Sequence, residues 1–192
     1  MAMTIDEAYV EYRKIYDYAE IGVEFEALVD VEEFKKSPCA PTADSGVAYD
    51  GALMYHTILV YHYARKVQAM FSSIVKVDDK SLAKVVVLHQ LGKVGMFKPN
   101  TDEWQVKKLG KVYAYNESGV CLRTGDRSKM LCSNAGVQFT FEEYEAMGIM
   151  DRTPEEYSNM NQYRTMLSTI LRIANDLAYT LERERVKLSK NE

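Results

Sequence analysis

The chain has 192 residues, of which 47% are hydrophobic and 27% charged, which fits one globular domain with a sizeable core. Its formal net charge is −4 and its basic residues are scattered, so a broad nucleic-acid-binding face is not predicted. The three cysteines lack C-x-x-C spacing, which argues against a zinc ribbon and a disulfide framework. The acidic start and the lack of any apolar run of bilayer-spanning length predict a cytoplasmic protein without membrane contact.

Helical patterns dominate the first half of the chain. The segments predicted there are a helix over 4–34, a loop over 37–51, a helix over 52–73 and a helix over 81–91. The first helix opens with the capping box Thr4–Glu7, and the helix over 52–73 is apolar on most sides and is therefore expected to be deeply buried. Gly92 and Gly95 are expected to end the last of these helices.

The second half contains the one strand-like pattern. Between residues 104 and 123, valines and tyrosines alternate with polar residues around the turn signal NESG, which predicts a small β-hairpin. The helical signals after it are a helix over 126–134, the capping boxes Thr140–Glu143 and Thr153–Pro154–Glu156, and a helix over 162–185 with a frayed tail. The predicted fold is mainly α, a single helical-bundle domain with a small inserted β-hairpin.

The three histidines are the first candidates for chemistry. His56 and His89 fall in the two most apolar predicted helices, each close to a glycine-containing loop. One histidine on an apolar face is usually a core residue satisfied by a hydrogen bond. Two such helices could instead place two imidazoles around one metal ion or anion. His62, six residues after His56, falls on another face and is predicted to be structural or exposed.

Four short motifs occur in order along the chain. They are GALMYHT (51–57), LHQLGK (88–93), RTGDRSKML (123–131) and IANDLA (173–178). In order and spacing they resemble the HD superfamily of metal-dependent phosphohydrolases, in particular the branch found in phages and bacterial mobile elements. That branch carries the motifs GGL-x-x-H-S, LHD-x-GK, GHGE[KR]S and AD-x-[LM]A. The resemblance covers residues 38–180 and implies an HD-like helical domain preceded by the N-terminal helix.

The resemblance also implies roles for individual residues. In that family a first-helix histidine, a paired His-Asp and a late aspartate hold a divalent metal, which lowers the pKa of a bound water. On this basis His56 and His89 match metal ligands, and Asp176 matches the late aspartate with one residue inserted ahead of it. Lys93 matches a lysine expected to face a phosphate oxygen.

The chain departs from the family at several of these positions. Gln90 stands where the family has its aspartate, Thr124 replaces the histidine of the third motif, and Met150 lies near the usual position of the next histidine. An amide cannot match a carboxylate's charge, so a site built from His56, His89, Gln90 and Asp176 should bind Mg²⁺ or Mn²⁺ poorly. A softer ion such as Zn²⁺ or Ni²⁺ could still bind weakly. A buried Gln90 is expected to hydrogen-bond a histidine or a backbone group, because an unpaired amide costs about 1–3 kcal/mol.

Basic side chains provide a second candidate site. If the end of the second motif, the hairpin and the third motif meet, Lys93, Arg123 and Arg127 could form a rim that binds a phosphate. The alternative is an ordinary solvated face.

Three functions follow as hypotheses. The leading one is a catalytically degenerate HD-type domain that binds a nucleotide-like or phosphate ligand or a protein partner. The second is a residual single-metal phosphohydrolase acting on a nucleotide or phosphoester through His56, His89 and Asp176. The third is a structural helical interaction protein without a ligand in a pocket.

Overall fold

The structure, a computed structural model, describes residues 3–117, 122–149 and 164–189. The described α-helices are α1 (Ile5–Tyr18), α2 (Val31–Lys36), α3 (Ala52–Phe71), α4 (Asp79–Leu88), α5 (Glu103–Leu109), α6 (Thr124–Asn134), α7 (Phe141–Met147) and α8 (Met166–Ser189). The described strands are β1 (Phe97–Pro99) and β2 (Tyr113–Tyr115), which pair antiparallel. The predicted mainly α fold with a small hairpin is therefore confirmed.

The N-terminal region is not one helix over residues 4–34. The chain leaves helix α1 after Tyr18, and Glu20 (φ 48°) and Gly22 (φ 85°) take left-handed backbone conformations that an α-helix cannot contain. Helix α2 then starts afresh, because the carboxylate of Asp30 accepts a hydrogen bond from the Glu33 N–H at 2.9 Å. Apolar spacing predicts helical character here, but it does not reveal the break.

The hairpin lies earlier in the chain than predicted. Its register places Phe97 opposite Tyr115, and helix α5 occupies the connection between the two strands. The segment predicted to be the first strand is helical because Asp102 caps it, its carboxylate accepting from the Gln105 N–H at 3.1 Å. Gly110, at φ 62°, ends this helix.

The other helices follow their sequence signals closely. Helix α3 matches its prediction, and the capping boxes at Thr4 and Thr140 are both present. Helix α4 ends at Leu88, before the predicted end at residue 91, and α8 continues to Ser189 instead of fraying after residue 185. Met150 and the predicted capping box at Thr153 lie outside the described residues.

Two hydrophobic clusters share the interior. The first packs α1, α2 and the first half of α3, with the rings of Tyr12, Phe25 and Phe34 in contact at tilted and edge-to-face angles. The second packs the later part of α3 against α4 and α8, around residues such as Leu82 and Leu171. Among the described elements, α3 and α8 have the most extensive contact. Within the described ranges, no helix combines the length and apolarity needed to cross a bilayer.

Candidate functional site

A group of buried polar side chains lies where α3, the end of α4 and α8 meet. We call His56, His89, Gln90, Asn175 and Glu182 the polar network; none is more than 7% exposed. Helix α3 supplies His56, and α8 supplies Asn175 and Glu182. His89 and Gln90 follow directly after the C-terminal end of α4. Burial in an apolar interior requires each of these polar groups to find a partner.

His89 and Gln90 are joined in a chain of hydrogen bonds. The Nδ1 atom of His89 lies 2.7 Å from the Val86 carbonyl oxygen and must donate to it, so Nε2 is left as an acceptor. The Gln90 amide nitrogen donates to that Nε2 at 3.0 Å and to the Asn175 Oδ1 atom at 2.7 Å. Burial lowers the pKa of His89 to about 3, which agrees with a neutral ring in this arrangement.

His56 extends the network to Glu182. Its Nε2 atom lies 3.0 Å from the Asn175 Oδ1 atom, which can only accept, so this nitrogen carries a proton. Its Nδ1 atom lies 2.6 Å from Oε2 of Glu182, a distance at which a further proton must lie between the two groups. The pair therefore exists as imidazolium and carboxylate, or as neutral imidazole and carboxylic acid.

A second set of contacts borders the network. The Cys39 thiol donates to Oε1 of the Gln90 side chain at 3.1 Å and contacts the Tyr179 hydroxyl at 3.0 Å. The Lys93 ammonium donates to the same hydroxyl at 2.8 Å. Burial raises the pKa values of Cys39 and Tyr179, so both groups are held in their neutral forms at neutral pH. The Cys39 thiol is thus a packed polar group here and not a reactive thiolate.

Asp176, predicted from the resemblance as the late aspartate, is not part of the network. Its side chain is 62% exposed and lies 3.7 Å from the Arg172 guanidinium on the outer face of α8. The preceding residue, Asn175, faces the two histidines instead. The reason is helical geometry: Leu171, Asn175 and Ala178 share the buried face of α8, and residue 176 points about 100° away from residue 175.

The three predicted phosphate-binding residues have separate surroundings. Lys93 points inward to Tyr179, as described above. The Arg127 guanidinium donates to the Val94 carbonyl oxygen at 3.0 Å, and Arg123 is exposed at the start of α6. The segments themselves do meet, since the Ser128 hydroxyl donates to the His89 carbonyl oxygen at 3.0 Å.

Gly92 permits this meeting of α4 and α6. A Cβ atom at this position would overlap the Thr124 carbonyl oxygen and lie 2.9 Å from the Ser128 backbone nitrogen. The Gly92 N–H instead donates to the Ser128 hydroxyl at 2.8 Å. The glycine after His89–Gln90 is therefore required by close packing of two backbones, and the turn ends with Lys93 aimed at α8.

The network's donor set does not fit a divalent metal. His89 Nε2 already accepts a hydrogen bond, and Asn175 and Gln90 contribute neutral amides where a dication would need negative oxygen. The one carboxylate of the network, on Glu182, meets His56 at Nδ1, on the other side of the ring from Asn175. In the described part of the chain, no group of three or more His, Cys, Asp or Glu side chains is arranged to hold a metal ion.

Sequence reasoning missed four of the residues in this region: Cys39, Asn175, Tyr179 and Glu182. The signal for three of them was present, because positions 171, 175, 178, 179 and 182 repeat at the spacing of one helix face. Following that face along the whole of α8 would have selected Asn175 over Asp176 and added Tyr179 and Glu182. Cys39 lies in an irregular loop, where no periodicity exists to place it. His62 is exposed, which is one of the two alternatives predicted for it.

Comparison of the chain with protein-family models, with curated proteins and with solved structures finds no match in any of the three.

Proposed function

We propose that this chain is a catalytically inactive HD-like domain that acts by binding. The proposal combines the order of the four sequence motifs with the positions of the network residues. His56 and His89 are brought into one network by Gln90 and Asn175. Under this proposal Asn175 takes over the role first assigned to Asp176, so both acidic positions of the family's metal site carry amides.

The observation that carries the proposal is the pair of hydrogen bonds donated by the Gln90 amide nitrogen. One goes to His89 at 3.0 Å and the other to Asn175 at 2.7 Å. A metal ion would have to bind the same two acceptor atoms. The two N–H groups of one amide thus satisfy, without any ion, the atoms that would otherwise ligate the dication.

Loss of hydrolysis follows from the charges at this centre. A phosphohydrolase needs a cation that polarises phosphate and activates water. Here His89 is neutral, two amides replace carboxylates, and the Glu182 carboxyl group is engaged by His56. Of the cations proposed for phosphate, Lys93 and Arg127 already have acceptors within the protein. These observations favour binding at a different surface over turnover at this centre.

Metal affinity tests the proposal. Equilibrium dialysis of protein without a histidine tag against Mn²⁺ and Zn²⁺ should show weak binding for the wild type. The double variant Gln90→Asp/Asn175→Asp should bind at least about tenfold more tightly, because two carboxylates restore negative oxygen ligands. Adding Asp176→Asn to the double variant is the matched control, and it should leave the affinity unchanged because residue 176 is exposed.

The outcomes distinguish an inactive HD-like domain from a residual phosphohydrolase. Tight stoichiometric metal in the wild type, lost on His89→Ala, would support a residual phosphohydrolase and overturn the proposal. No gain in the double variant would refute the HD ancestry. If the two buried carboxylates prevent the double variant from folding, the measurement is instead whether Mn²⁺ restores its thermal unfolding transition. Failure of Mn²⁺ to restore the transition would also refute the HD ancestry.

A further inference from the structure

A cavity of about 550 Å³ opens between α3 and the C-terminal half of α8. Its walls include Tyr49, Tyr55, Ile58, His62, Val186 and Glu182. The volume lies within the range of small-molecule sites, which run from about 300 to 1,000 Å³. The cavity reaches the polar network from the Nδ1 side of His56, the side opposite to Asn175.

Glu182 supplies a buried carboxyl group at this cavity. Its side chain is 7% exposed, and Oε2 is bonded to His56. The other oxygen, Oε1, has no hydrogen-bond partner among the described residues, yet no buried side-chain nitrogen or oxygen there lacks one. Oε1 therefore reaches solvent, and the solvent beside Glu182 is that of the cavity.

The walls of the cavity combine aromatic and aliphatic side chains with the polar residues His62, Arg185 and Ser189. The rings of Tyr49 and Tyr55 lie 6.1 Å apart at 44°, and Ile58 and Val186 line the cavity from the two helices. The Tyr55 hydroxyl donates to the Met3 carbonyl oxygen at 2.7 Å, which fixes this ring at the edge of the cavity. Burial raises the pKa of Tyr49 to about 12.

The backbone around Glu182 is also closely packed. Gly46, at φ 79°, approaches α8 so tightly that a Cβ atom there would overlap the Glu182 carbonyl oxygen. The loop that carries Tyr49 is thereby held against the helix that carries the carboxylate. The cavity is thus built from fixed elements, a property expected of a binding site.

We propose that this cavity binds a small organic cation with an aromatic body, of the arylalkylamine class. The ammonium group donates to Oε1 of Glu182, and the body packs against the tyrosine rings and the aliphatic wall, where cation–π attraction adds to burial. The inference rests on the proposed function, since the ligand is bound beside an inactive centre and not converted. Arg185 and His62, both exposed, also line the cavity and would instead favour an anion.

Three probes of matched shape separate these possibilities. Isothermal titration with phenethylamine, 2-phenylethanol and 3-phenylpropionate compares a cation, a neutral alcohol and an anion on the same ring. The cation should bind at least about tenfold more tightly than the alcohol, and the anion should bind most weakly. Preference for the anion, or equal affinity for all three, would overturn the proposal, as would no binding of phenethylamine at millimolar concentration.

Two variants locate the binding. Val186→Trp should fill the cavity and abolish phenethylamine binding, whereas Leu188→Trp, exposed on the same helix, should retain it. Glu182→Gln should reduce the cation's affinity to that of the alcohol. If loss of the His56 pairing prevents Glu182→Gln from folding, the two tryptophan variants still decide the location, since equal binding by both refutes it.

The result is separable from that of the metal experiment. Gln90→Asp/Asn175→Asp leaves every cavity-lining side chain in place, so phenethylamine binding should persist in it. Metal-dependent hydrolysis by the wild type would overturn the proposed function without touching amine binding. Failure of amine binding alone would refute the cavity ligand and leave the inactive centre standing.

Discussion

His89 illustrates how burial changes the chemistry of one residue. Its ring is almost completely enclosed, and desolvation of the charged form lowers its pKa from 6.5 to about 3 despite the favourable bond to the Val86 carbonyl. In the unfolded chain the same ring would take up a proton below about pH 6.5. Between about pH 3 and pH 6.5 the protein therefore takes up a proton when it unfolds. The contribution of neutral His89 to the unfolding free energy is complete above pH 6.5 and decreases as the pH falls toward the folded-state pKa.

The pH dependence of unfolding tests this. Between about pH 5 and 6, the unfolding free energy from urea titrations should fall with decreasing pH by a slope approaching about 1.4 kcal/mol per pH unit. His89→Gln, which can still donate to Val86 and accept from Gln90, should remove most of that slope. His62→Gln is the control and should keep it, because His62 is exposed and outside the network. A wild-type slope in His89→Gln would contradict the assignment.

At the scale of elements, the molecule depends on the close approach of the turn after α4 to the start of α6. Gly92 faces the backbone at Thr124 and Ser128, and the Ser128 hydroxyl links the two segments through His89 and Gly92. A backbone obstacle cannot move aside as a side chain can. The packing of α6 therefore sets which residue is tolerated directly after His89–Gln90.

Alanine substitutions at two glycines distinguish crowding of the new Cβ atom against backbone atoms from crowding against a side chain. Gly92→Ala should lower the unfolding free energy by about 1–3 kcal/mol, because overpacking forces α6 away from the turn. Gly148→Ala should change it by less than about 0.5 kcal/mol, since its new Cβ would lie 2.8 Å from Nζ of Lys129, the movable end of a flexible side chain. Urea denaturation measures both. Equal effects would show that the approach of α6 does not decide the cost.

The elements also show how far local signals extend. Capping boxes at Thr4 and Thr140 and the apolar helix α3 were predictable, because each depends on residues within a few positions of one another. The hairpin was misplaced because alternation within residues 104–123 did not outweigh the Asp102 cap. Tyr115 pairs with Phe97, and the two strands are joined by helix α5. The turn signals in the sequence predict only hairpins with short connections, so they could not reveal this pairing.

The whole molecule is expected to unfold as one unit. Helix α3 places Leu53 in the first hydrophobic cluster and Val60 in the second, and α4 likewise contributes Val87 to one and Val86 to the other. Neither cluster can lose these helices without exposing the other. The polar network lies along the same helices, so its hydrogen bonds are lost in the same transition.

Truncations in each cluster test this cooperativity. Leu53→Ala and Leu171→Ala should each cost about 2–5 kcal/mol, because both side chains are buried and leave cavities. Far-UV and near-UV circular dichroism should still report one coincident transition in each variant. Leu188→Ala, exposed, is the control and should stay within about 0.5 kcal/mol of wild type. Two transitions, with only one displaced, would mean that the clusters unfold separately.

The sequence by itself determined the helical class, the position and burial of α3, the apolar character of α4, and the N-terminal caps of α1 and α7. These features follow from periodicity and capping, which act over neighbouring residues. Only the tertiary structure decided that Asn175 and not Asp176 meets the histidines, and that Glu182 lies against His56, 126 positions earlier in the chain. The physical reason is that a buried polar group must find a partner wherever packing brings one, and the rotation of α8 against α3 selects which side chains are within reach.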